Sequence, residues 1–269
     1  MMQWPDALGK PHPAWSADQG ELRLVSLVPS ITELLWDLGL GTQLVGRTGF
    51  CVHPRQALQA VPKVGGTKGF SVEKIRALAP THVIVNVDEN RREEVAALEA
   101  FVPHIVVTHP LGPDDNPALY RLLGRLFGRE AEAERLCADY AAARAELAAA
   151  VADLPRETAL YLIWKKPWMS ISRDTYISRM LAAAGWDSLP ADDAERYPEV
   201  DLALARQAGR ILLPSEPYPF RDKDALELAA DPATGGTPVL AVDGEMISWY
   251  GSRAIAGLRY LAALRRSLA

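Results

Sequence analysis

The sequence predicts an α/β protein of two Rossmann-like lobes, each on a mainly parallel sheet, joined by a single long α-helix. Three observations predict it. Short apolar runs of strand length alternate with helical patterns almost from end to end, as they do where parallel strands are joined by crossover helices. From Arg129 to Asp153 no Gly or Pro interrupts the chain, and Leu136, Tyr140, Leu147 and Val151 recur on one helical face. On either side of that segment, "LAPTHVIVNVDENRREEVAAL" and "ARQAGRILLPSEPYPFRDKDALEL" follow one grammar: helix end, breaker, strand, acidic loop, helix. A helix of roughly 25 residues extends about 37 Å, more than a crossover inside one sheet requires. The resulting division is a lead-in over 1–21, a first lobe over 22–127, a linker helix over 128–154 and a second lobe over 155–269.

In the first lobe, strands are expected at Leu22 to Val28, Gln43 to Gly46, His82 to Val87 and Ile105 to Thr108. The helix after Pro29 opens with Ser30 and carries Glu33 three residues on, the spacing of a reciprocal cap, and it stops at Gly39. Ser71 starts a helix that Pro80 ends, and Asn116 before Pro117 reads as a cap with a preorganised first turn. After Pro155 the pattern gives a strand Ala159 to Ile163 and helices near Thr175 to Ala184 and Val200 to Ala208. A strand Arg210 to Leu213, a helix from Asp222, a strand Val239 to Val242 and a final helix from Ser252 complete it.

Composition narrows the function. The chain has 269 residues, 49% of them hydrophobic and 23% charged, with a net charge of -5 spread over both signs. Nothing there attracts a polyanion or an anionic membrane surface. Cys51 and Cys137 lack CxxC spacing and read as two buried thiols. His104 and His109 flank one strand on alternating sides, and only His53 lies in a candidate site loop, so no metal site made of protein ligands alone is expected. There is no GxSxG elbow, and "GGTKG" lacks the spacing and Ser/Thr of a phosphate loop.

In open parallel sheets ligands gather at the carboxyl ends of the strands. Those positions hold Ser30, Ile31 and Thr32 after the first strand, where a helix start offers amides and a hydroxyl. Phe50 follows the second strand and Asn86 ends the third. In the other lobe they hold Trp164, Trp168, Glu216, Tyr218 and Phe220, with Glu245, Trp249 and Arg253 in the late loop "DGEMISWYGSR". So many rings in loops suit a large apolar ligand better than a small ion. Arg47, Arg173 and Arg253 are the cations an anionic ferric chelate would want.

These residues resemble the substrate-binding proteins of ABC importers for vitamin B12 and ferric siderophores. "RLVSLVPSITELLWDLGLGTQLVGRTGFCVHP" is similar to that family's opening strand, proline-led helix and following loop. "VPKVGGTKGFSVEKIRALAPTHVIV" resembles its first-lobe signature, and "RILLPSEPYPF" and "DGEMISWYGSR" resemble its second-lobe strand and late loop. The resemblance implies a non-enzymatic protein that holds its ligand in a cleft between the lobes and requires no cofactor. It places Phe50, Trp168 and Tyr197 against a corrin ring and Glu245 near an acidic residue of the late loop. It makes Glu73 a contact for the arginines of an ABC permease, with Glu199 the carboxylate nearest the matching place in the second lobe. The expected ligand is a corrinoid, cobalamin or a precursor, with a ferric siderophore or haem as the alternative. A rival of another class is a cytoplasmic enzyme acting on a corrinoid or tetrapyrrole, with Asp88, Glu89 or Glu245 as acid or base. The opening residues "MMQWPDALGKPHPAWSADQGE" read as neither an export signal nor a lipid anchor. That places the chain as given in the cytoplasm, or in the periplasm if an export segment lies upstream.

Overall fold

The computed structural model describes residues 3–191 and 195–268, and the chain forms two compact units. Unit one takes Met1–Pro110, Asp115–Asp139 and Tyr250–Ser252; unit two takes Leu111–Asp114, Tyr140–Trp249 and Arg253–Ala269.

Unit one opens with an antiparallel hairpin, β1 (Gln3–Pro5) and β2 (Pro11–Pro13). Strands β3 (Leu24–Ser26), β4 (Leu44–Arg47), β5 (His82–Asn86) and β6 (His104–Thr108) form a wholly parallel sheet in the order β4-β3-β5-β6. Its helices are α1 (Pro29–Asp37), α2 (Val72–Ala77), α3 (Arg92–Ala96) and α4 (Asn116–Phe127). The long helix α5 (Glu130–Val151) follows, and the division between the units falls inside it, after Asp139. Unit two carries β7 (Glu157–Tyr161), β8 (Trp186–Leu189), β9 (Arg210–Pro214) and β10 (Val239–Val242), again all parallel, in the order β10-β9-β7-β8. Helices α6 (Tyr176–Ala183), α7 (Asp222–Ala230), α8 (Gly244–Ser248) and α9 (Arg253–Ser267) accompany it. Counting each unit's parallel strands in chain order gives the spatial order 2-1-3-4 both times, so the repeated grammar of the sequence is a repeated topology.

Strands that helices cover on both sides need apolar residues on both faces, and all five residues of β5 are buried. Val83, Val85 and Ile105 pack with Val25, Leu27 and Ile75 in one core; Leu160, Leu162, Ile211 and Leu213 anchor the other. Helix α5 buries Ala133, Cys137, Tyr140, Ala143 and Leu147, a narrower stripe of small and large residues than the sequence suggested, leaving Leu136 and Val151 half-buried. Both cysteines are buried free thiols.

Local signals succeed where a single hydroxyl decides and fail where packing does. Ser71 Oγ accepts from Lys74 N, and Thr175 Oγ1 accepts from Ser178 N, each at 3.2 Å. By contrast α1 starts one residue earlier than expected, with Val28 as its cap residue and Pro29 at the first position, so the Ser30–Glu33 box does not form. Asn116 is not a cap either. Helix α4 begins at it, and its Oδ1 accepts from Gly251 N at 2.7 Å. The helix expected from Val200 is a 3-10 helix, Leu202–Gln207, capped by Asp201.

The lead-in is part of unit one's fold. Ala7 N donates to Val107 O, and Asp6 Oδ2 accepts from Val107 N at 3.1 Å and lies 3.1 Å from His12 Nε2. These bonds occupy the free edge of β6. Beneath the hairpin, His82 stacks on His104 with centroids 4.6 Å apart, and Trp15 and Phe127 meet His82 edge-on. Burial, then the charges of His104 and His12, push His82 down to about 3. The His104 imidazole is lowered too, by burial, then by His12 and Lys10. A histidine lowered on folding takes up its proton first in the unfolded chain, so stability is lost as pH falls from about 6.5 toward 3. We expect the melting temperature of the protein to fall more steeply between pH 7 and 5 than that of His82→Phe. Equal slopes would remove this pair from the acid response.

Candidate functional site

A 2-1-3-4 sheet sends its first crossover to one side and its second to the other, which opens a crevice between the carboxyl ends of strands one and three. In unit two these are β7 and β9. The loops that leave them carry Trp164, Trp168, Tyr218 and Phe220 as a chain of rings. Trp164 meets Tyr218 edge-on at 5.4 Å, Tyr218 lies 4.6 Å from Phe220, and Phe220 stacks nearly parallel on Trp168 at 6.2 Å. Trp168 leans on the core, whereas Trp164 is 44% exposed. One ion-pair cluster holds the first loop down: Lys165 Nζ bonds Asp224 Oδ1 at 2.8 Å and Glu227 Oε2 at 2.6 Å, both on α7. Hydrogen bonds to those two carboxylates push Lys165 up to about 12. Tyr197, after β8, is 39% exposed with its ring 6.0 Å from the Arg196 guanidinium.

The late loop is a short helix. Asp243 Oδ1 caps α8 through Met246 N. Gly244 lies flat on the β9 loop, where a Cβ would come within 2.8 Å of both Glu216 N and Glu216 O. The Glu216 carboxylate accepts from Ser248 Oγ at 3.0 Å and from Trp249 Nε1. Burial raises its pKa, against the lowering effect of those two donors. Glu245 and Arg253 are an ion pair at 3.1 Å, and the Arg253 guanidinium lies 5.0 Å from the centre of the Trp249 ring, which is only 8% exposed.

Unit one treats the equivalent crevice differently. Between the ends of β3 and β5 sits the segment Tyr250–Ser252: Tyr250 Oη donates to Glu89 Oε1 at 2.6 Å, and Tyr120 Oη donates to Gly251 O at 2.8 Å. Gly251 has φ +74 and lies so close to α1 that a Cβ would be 3.1 Å from Ser30 O. Ser30, Ile31 and Thr32 are interior, at 3%, 0% and 0% exposure, and do not offer a helix start to a ligand. Thr32 Oγ1 is instead within bonding reach of Ser26 Oγ, Val28 O and Cys51 Sγ. Asn86 is also structural: its Oδ1 accepts from Asp88 N at 2.8 Å and its backbone N–H donates to Asn90 Oδ1. Arg47 is buried and spends its guanidinium on the carbonyls of Leu58, Thr48 and Cys51, which takes it out of the anion-binding set. Phe50 stands out, 64% exposed, and Val52 in the same loop and Val87 after β5 are exposed too.

Glu73 and Glu199 are exposed, the first in the opening turn of α2, the second bridged to Met169. Asp88 and Glu89, candidates for acid and base, face His109 at 3.5 Å and the Tyr250 hydroxyl. Among the described residues no group of three or more His, Cys, Asp or Glu could hold a metal ion, and no helix is long and apolar enough to cross a membrane. Phe220 and Glu216 belong to the strand-end positions of the second lobe but are not among the residues that the sequence assigns a ligand role. Their signal was the two-residue spacing from Tyr218 in "SEPYPF", which places them on the same loop.

The family described as "Periplasmic binding protein" matches residues 24–241, and the chain belongs to it, a family of non-enzymatic binding proteins. Among relatives, the vitamin B12-binding protein of Pectobacterium carotovorum is 25% identical over 235 residues, 86% of this chain and 83% of that one. That of Vibrio campbellii is 26% identical over 249 residues, 87% and 85% of the two chains. Among solved structures, a periplasmic haem-binding protein from Roseiflexus superposes with a TM-score of 0.79 at 25% identity, covering 92% of this chain and 99% of that one. The periplasmic vitamin B12 binding protein of Vibrio cholerae gives 0.78 at 20% identity, covering 91% and 96%, a likeness of fold.

Gly244→Ala tests the seating of α8. Forcing a methyl group against the Glu216 backbone should cost about 1–3 kcal/mol of stability in denaturant unfolding. An unchanged midpoint would mean that α8 is not pressed on the β9 loop.

Proposed function

We propose that the protein is the substrate-binding component of an ABC importer and that its ligand is a macrocycle of the tetrapyrrole class, a corrinoid before haem. The observation that carries this reading is where apolar surface has been left uncovered. Of the seven large hydrophobic residues exposed among those described, Phe50, Val52, Val87, Trp164 and Tyr197 lie in loops that follow parallel strands; only Leu8 and Leu226 lie elsewhere. Scattered exposure is ordinary, but exposure gathered at strand ends is not. Flat rings there supply the stacking area that a macrocycle would bury.

The names of the curated relatives point to a corrinoid, whereas those of the solved structures divide, several naming haem and that from Vibrio cholerae naming vitamin B12. A siderophore loses ground, because Arg47 is committed to backbone carbonyls and Arg253 to Glu245. Phe50 in unit one and Trp164, Trp168, Tyr197 and Tyr218 in unit two are the residues we assign to the ligand, with Trp249, Glu245 and Arg253 beside them. The exposed carboxylates Glu73 and Glu199 are those we assign to a permease. This reading requires the periplasm as the working compartment.

Calorimetric titration with cyanocobalamin and absorbance titration with haemin test it. We expect cobalamin to bind at micromolar concentration or tighter, and Trp164→Ala to weaken it roughly 10-fold or more with an unchanged melting temperature. Haemin binding without cobalamin binding would move the ligand to haem. Binding of neither would overturn the proposal.

A further inference from the structure

The ringed wall of unit two comes from two parts of the chain, the β7 and β9 loops on one hand and α8 with Trp249 on the other. Glu216 is where they join. It lies two residues before Tyr218 on the β9 loop, and its Oε1 accepts from both Ser248 Oγ and Trp249 Nε1, the last residue of α8 and the residue after it. The backbones are fastened alongside: Ser215 N donates to Val242 O at 3.1 Å, and Gly244 N donates to Ser215 Oγ at 3.0 Å. The carboxylate sits near Glu245 and Asp243, so its charge works against it there. What the place uses is an acceptor that two donors can share.

We propose that Glu216 is a positioning residue of the ligand site, which fixes the Trp249 indole and α8 against the Tyr218–Phe220 loop so that a ligand meets a preformed wall. The inference rests on the functional reading above and adds to it a residue that acts through Trp249 without touching the ligand. A wall held in place before binding spares the ligand the cost of ordering it, so loosening the joint should appear as lost affinity.

The experiment compares Glu216→Leu, which keeps the size and removes the acceptor, with Glu216→Gln, which keeps the acceptor and removes the charge. Affinity for cyanocobalamin and for haemin is measured by titration. The Trp249 indole N–H resonance is identified by its loss in Trp249→Phe and followed in both variants. We expect Glu216→Leu to bind the preferred macrocycle at least 10-fold more weakly and to shift the indole resonance upfield, and Glu216→Gln to stay within threefold of the native affinity with the resonance downfield. Trp249→Phe keeps an aromatic ring, though a smaller one, and removes the N–H that makes the bond. It should lose affinity severalfold even if Glu216→Leu does not fold. Native affinity in Glu216→Leu or in Trp249→Phe, or equal losses in the Leu and Gln variants, would overturn the inference. If the native protein binds neither macrocycle, the functional reading fails by itself, and the indole resonance still decides the joint: unmoved in Glu216→Leu, it overturns it.

Discussion

A parallel strand can be followed by another only through a crossover, and that constraint orders the rest of this molecule. Every crossover starts from the same edge of its sheet, so loops, helix starts and polar backbone collect there while the opposite edge needs only tight turns. The core has little say over residues on that edge. In both units the strand order 2-1-3-4 turns the edge into a crevice between the first and third strands. Leaving a ring such as Trp164 or Phe50 uncovered forgoes about 25 cal/mol for each Å² of apolar surface it could have buried. A fold carries that loss where something other than the core covers the ring.

The two units resolve the same crevice in opposite ways. In unit one, a tyrosine and a glycine close it. Tyr250 reaches Glu89, and Gly251, held by Asn116 and Tyr120, lies so near Ser30 O that a side chain would crowd the helix. The apolar exposure at that unit's strand ends lies at Phe50 and Val52 after β4 and at Val87 after β5. In unit two the crevice keeps its rings, and the side chains around them are tied to firm elements, Lys165 to α7 and Arg253 to Glu245 by charge, Glu216 to α8 by hydrogen bonds. The asymmetry lies in side chains, on one shared topology.

Much of this was legible in the sequence, for identifiable reasons. Buried parallel strands are dense in Val, Ile and Leu, so β5, β6, β9 and β10 could be placed to within about a residue or two. An uninterrupted run without Gly or Pro gave α5. The hairpin β1–β2 was hidden by its prolines at positions 5, 11 and 13, which argue against strands; what makes it stand is Asp6, whose carboxylate bonds Val107 from a hundred residues away. Strand β8 was hidden because "WDSL" alternates buried and half-buried positions too briefly to show a period. Among the residues proposed for the ligand, ring type and strand-end position singled out Phe50, Trp164, Trp168 and Tyr218. Ser30, Ile31 and Thr32 sit at an equally good position but are buried, Ser30 against a segment some 220 residues later in the chain, which no local pattern announces. Arg47 likewise looks free until the carbonyls it satisfies are known.

If the uncovered rings at these strand ends are the ligand's surface, a crystal structure of the protein grown with cyanocobalamin will show density for the corrin ring in van der Waals contact with Trp164 and Tyr218. A corrin seated away from the strand-end loops, with Trp164 still facing solvent, would contradict it.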